Sequence, residues 1–65
     1  MPKQSIRTKN RNYHRKQCKE NATKGERLLK YGDKNTAKIY TERAYQDYDK
    51  YVYYGGKLKF SQITK

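Results

Sequence analysis

His14 and Cys18 stand four residues apart, a spacing that places two side chains on one face of a helix. An imidazole and a thiol so placed offer two chemistries: a pair of metal ligands, or a nucleophile beside its base. Structural zinc takes four nitrogen or sulfur ligands, and this chain holds one histidine and one cysteine. An intramolecular zinc site is therefore not expected. The nucleophilic pair would need a third group to orient the histidine and a cleft to exclude water, and neither is legible here. The expectation is a solvent-facing His14 beside a half-buried Cys18. Asp47 and Asp49 fall on different helical faces and make no carboxylate pair. Gly55-Gly56 is followed by neither a Lys-Ser/Thr step nor a helix start, so it is not a phosphate loop. No catalytic residue, metal or cofactor is expected, and the chain does not read as an enzyme.

The chemistry that the chain does carry is cationic. Its 65 residues hold 17 Lys+Arg against 6 Asp+Glu, a net charge of +11. Residues 1–19 contain seven of the cations and no acid, whereas residues 20–54 are close to neutral. Solubility calls for mixed signs, and a block of like charge repels itself until a polyanion neutralises it. The bland alternative is a disordered tail that only keeps the chain soluble. Lys3, Arg7, Lys9, Arg11, Arg15, Lys16 and Lys19 recur every one to four residues. An extended chain advancing about 3.3–3.6 Å per residue lets them track successive phosphates. If the segment is helical instead, Arg11, Arg15 and Lys19 share one face. Tyr13 adds a ring that can stack on an unpaired base, Asn10, Asn12 and Gln17 add amides, and Lys57 and Lys59 form a second, weaker contact.

The elements that position these groups read as two helices. Cys18, Ala22, Gly25 and Leu29, with Leu28 beside them, mark one face, and the helix is expected over residues 12–31. Glu20 with Lys24 and Glu26 with Lys30 are i,i+4 pairs in the favoured orientation. Gly32 stops the helix and Asp33 caps the next. Ala37, Tyr40, Ala44, Tyr48 and Tyr51, widened by Tyr45 and Val52, form the facing stripe over residues 34–54, which Gly55-Gly56 ends. Tyr40 and Tyr48 are expected to supply most of the buried area, with their hydroxyls at the wet edge. Tyr53 and Tyr54 are read as partner-facing. Lys57 to Ser61 alternates polar and apolar like an extended segment, with Leu58, Phe60 and Ile63 folding back on the hairpin or gripping a partner.

The fold class is thus all-α: an antiparallel two-helix hairpin over residues 12–54, between a flexible basic arm (1–11) and a basic, largely disordered tail (55–65). With 32% apolar residues and a mean hydropathy of −1.52, such a hairpin should be marginal without a partner, a second copy or an RNA surface. The single cysteine makes no internal disulfide, the first residues lack an apolar signal core, and no apolar run is long enough for a bilayer. A cytoplasmic protein with no membrane role is expected.

Gly32, Asp33, Ala37, Tyr40 and Ala44 read as G-D-x3-A-x2-Y-x3-A, which resembles the turn and second helix of a tetratricopeptide repeat. With Tyr48 added, and a basic Arg/Asn-rich leader before the first helix, residues 10–54 resemble a small alphaproteobacterial domain family of unknown function. The resemblance implies a helical hairpin with a basic leader. The chain departs from that family at Arg43-Ala44-Tyr45-Gln46-Asp47-Tyr48, where H-A-E-H-Y is the family's pattern, so no histidine role is carried over. A solenoid is excluded, because stacking takes about three or more repeats and one unit is present.

Signatures of sequence-specific DNA readers and of the RNA-recognition motif are missing from the sequence. The favoured function is an RNA-binding accessory protein, ribosome-associated, that contacts phosphates through its basic arm. The competing readings are a protein-interaction hairpin that dimerises or docks on a partner protein, ribosomal or other, and non-specific DNA binding by the same arm.

Overall fold

The computed structural model describes residues 5–65, arranged as α1 (Ile6–Lys30), α2 (Lys34–Tyr53) and a single-turn α3 (Phe60–Ile63). The two long helices pack antiparallel as a hairpin in a molecule whose longest dimension is 46 Å, and no helix among the described residues is long and apolar enough to cross a membrane.

The turn forms from local chemistry. Gly32 adopts φ 85°, which L side chains reach only with strain, and the Asp33 carboxylate accepts the Thr36 backbone N–H at 3.2 Å. Beyond it, small residues let the helices close. A Cβ on Gly25 would stand 2.9 Å from Thr41 Oγ1 and 3.3 Å from the Ala37 carbonyl oxygen. Cys18, Gly25, Ala37 and Ala44 are buried, as their spacing requires. Leu29 is not: it stays half-exposed and Leu28 is the more covered of the two, because the C-terminal segment that shields the hairpin lies at the other end.

α1 begins at Ile6, where the sequence places a flexible arm up to residue 11. Ser5 Oγ accepts the Thr8 N–H at 3.1 Å and caps the helix, and Arg7 Nη2 donates to the Tyr53 carbonyl at 3.4 Å. Residues 6–11 thus continue the helix from its Ser5 cap. Lys3 lies outside the described residues.

The tail also has structure. Tyr51 is buried, and its hydroxyl accepts the Leu58 N–H at 3.1 Å, while the Tyr48 hydroxyl donates to the Leu58 carbonyl at 3.1 Å. Two tyrosines thereby satisfy both backbone groups of Leu58 and pin residues 56–63 to the hairpin. Ile63 is buried with Cys18, Ala44 and Tyr51, and Phe60 stacks on Tyr45 (centroids 4.5 Å) and meets Tyr48 edge-on (5.7 Å). Leu58, Phe60 and Ile63 do fold back, through a helical turn in place of the extended segment that the alternation suggests. The tyrosine roles differ from expectation in the same way. Tyr51 is the buried ring and the Tyr48 hydroxyl is bonded, whereas Tyr40 is half-exposed, with Lys24 Nζ 5.0 Å and Arg43 Cζ 5.4 Å from its centroid.

Candidate nucleic-acid interface

Up to Lys19, α1 carries Arg7, Lys9, Arg11, Arg15, Lys16 and Lys19, and no acid occupies its first turn. Cations near a helix N-terminus oppose the macrodipole, so the isolated chain holds this charge at a cost that a bound anion relieves. Among the described residues no lysine or arginine lies within salt-bridge distance of a carboxylate. The expected Glu20–Lys24 and Glu26–Lys30 pairs do not form, and the Lys24 ammonium sits over Tyr40 instead.

The folded-back tail meets this helix along two neighbouring grooves. Arg11, Asn12 and Arg15 line one wall of the first, and Gly55, Gly56, Lys57 and Leu58 line the other. The second is formed by Asn12, Arg15, Lys16 and Lys19 with Gln62, Ile63 and Lys65. Asn12 and Arg15 belong to both, so the grooves form one track with six cations and no acid among its lining residues. The predicted contacts Arg11, Arg15, Lys16, Lys19 and Lys57 are brought together here. Lys9 and Lys59 are exposed but line neither groove, and Arg7 stands just beyond, near Gly55. Lys65 is a groove residue that sequence reasoning counted as charge without placing it. Its position depends on the path of the tail, which leaves no periodic trace.

Tyr13 is more than half exposed on the flank of α1 and packs edge-on against His14. His14 is largely covered, against the expectation of a solvent-facing ring. Its Nδ1 lies 3.0 Å from Asp47 Oδ1, and Asn21 Nδ2 donates to Asp47 Oδ2 at 2.9 Å. An ionised carboxylate only accepts, so Nδ1 carries the proton. This polar link between the helices was missed because its residues lie 33 and 26 positions apart.

Asp47 orients His14 as a catalytic third group would, but the cysteine beside it is buried rather than activated. Burial and then the Asp47 charge push the Cys18 thiol up to about 11, the direction opposite to a nucleophile's. Among the described residues no three metal-ligating side chains gather. Comparison with protein-family models, with curated proteins and with solved structures finds no match to this chain.

Proposed function

We propose that this protein binds RNA along the track between α1 and the folded-back tail, as an accessory protein on ribosomal or similarly structured RNA in the cytoplasm. One observation carries the reading: cations from the two ends of the sequence line a single surface with no acid among them. Charge gathered from remote parts of the chain repels itself, and a phosphate backbone neutralises it with release of counterions. The groups present are guanidinium and ammonium donors and the side-chain amides of Asn12 and Gln62, which suit phosphate oxygens. Their role is binding without catalysis. The tetratricopeptide-like unit, and membership of the alphaproteobacterial family it resembles, belong to this reading as the scaffold that carries the track.

The test is RNA affinity across a salt series. With about six phosphates neutralised, affinity falls by roughly two to three decades between about 50 and 200 mM salt. Replacing Arg11, Arg15 and Lys57 together by Gln removes half of the lining cations and cuts the slope by roughly half. An unchanged slope excludes the track. Cosedimentation with ribosomal subunits at low salt, lost at high salt, tests the cellular partner, and equal affinity for duplex DNA would favour the non-specific alternative.

A groove through Leu29, Ala37, Thr41 and Tyr45, flanked by Lys34, Lys38 and Glu42, favours the protein-interaction reading. Self-association or partner capture that persists at high salt, and is lost on Leu29→Glu, would place the function there.

A further inference from the structure

At the end of the hairpin opposite Gly32, four rings form a continuous run from α1 to the end of α2. Tyr13 meets His14 edge-on at 5.1 Å, His14 lies parallel to Tyr54 at 5.8 Å and 2°, and Tyr54 meets Tyr53 edge-on at 5.1 Å. The inner pair is held: Asp47 pins His14, and Tyr54 is half-buried. The outer pair is open, with Tyr13 57% and Tyr53 75% exposed. We infer that this run is a stacking platform for unpaired bases, so that the stretch of structured RNA bound along the track is a single-stranded one. The inference rests on the RNA-binding reading and names its substrate class.

Position connects the platform to the track. Arg7 bonds the Tyr53 carbonyl, and its Nε stands 3.9 Å from where a Cβ on Gly55 would sit. Gly55 itself lines the groove with Arg11 and Lys57, so the cationic wall begins where the rings end. A single strand offers phosphates to the groove and unstacked bases to the rings at once. A duplex keeps its bases stacked inside, and the A-form major groove is too narrow to admit side chains, so it leaves the rings without partners. A second copy of this chain is disfavoured as the occupant, since each copy brings a net charge of +11.

The experiment measures anisotropy of a labelled mixed-sequence RNA strand, and of an RNA duplex with the same number of phosphates, titrated with the full chain. The strand should bind more tightly. Tyr13→Ala with Tyr53→Ala should weaken strand binding by about fivefold to a hundredfold per ring, with duplex affinity and the salt slope unchanged. Tyr13→Phe with Tyr53→Phe should restore it, and thermal melts of both variants verify the fold, which two exposed rings do not hold together. Equal affinity for strand and duplex overturns the inference. So does undiminished strand binding by the alanine variant, or self-association that the same substitutions abolish. In those cases a salt-dependent affinity that persists leaves the RNA-binding reading standing. Loss of all RNA binding by the unaltered protein overturns both.

Discussion

Gly56→Ala tests how the tail is held. A Cβ at this position would lie 2.3 Å from the Cε2 and Cζ atoms of Tyr51, inside a ring that is buried and fixed by its bond to Leu58. A tilt of Tyr51 large enough to admit the methyl disturbs that bond and its packing, so the added group must either strain the core or lift the segment. Overpacking of this kind costs about 1–3 kcal/mol. Release of the segment is the costlier alternative: it exposes Ile63, worth about 1.5–3 kcal/mol, frees the partly buried Leu58 and Phe60, and breaks two hydrogen bonds worth about 0.5–1.5 kcal/mol each. Regained chain entropy offsets part of that loss. A net loss of about 1–2 kcal/mol lowers the Tm of so small a domain by roughly 5–15 °C. Circular dichroism melts read that shift, and tryptic cleavage at Lys57 and Lys59 should accelerate as the segment loosens. Gly32→Ala is the matched control, since its φ of 85° imposes strain but nothing stands within 4 Å of the new methyl. It should lose about 1–2 kcal/mol without faster cleavage in the tail. A Gly56→Ala protein with unaltered Tm and unaltered cleavage would refute the seating of residues 56–63 against Tyr51.

Removing Asp47 by Ala leaves His14 Nδ1 and Asn21 Nδ2 without their partner and should cost about 1–3 kcal/mol in urea unfolding, whereas a conventional surface contact would cost a few tenths. Cys18 has a folded-state pKa raised from 9.0 to about 11, so the unfolded chain releases the thiol proton first. Its contribution to stability is complete below about pH 9 and is lost as pH rises toward 11; Cys18→Ala should flatten that decline, and a decline of equal steepness in both proteins would contradict it. Ala44→Glu buries a charge where the helices touch, and far-ultraviolet circular dichroism should show loss of most of the helix.

The presence of two long helices, the stop between them, the span of α2 and the direction of the hairpin were legible in the sequence because each rests on local chemistry. The seven-residue spacing of Cys18 to Gly25 in one helix and of Ala37 to Ala44 in the other marks one face of each, and the positive φ open to Gly32 and the carboxylate of Asp33 act within a turn of where they stand. The charge block was legible for the same reason. The start of α1 was missed although Ser5 caps it locally, while the bond from Arg7 to the Tyr53 carbonyl spans 46 positions and leaves no such trace. Tyr48 and Tyr51 could be placed on the inner stripe, but their hydroxyls choose the path of the tail by bonding Leu58. That path puts Lys57 and Lys65 opposite Arg11, Arg15 and Lys19. Composition and periodicity by themselves determined two helices and an unbalanced positive charge. Tertiary structure alone decided that the charges from both ends share one surface, because that surface depends on hydrogen bonds and close ring-to-glycine packing between remote residues, which carry no period along the chain.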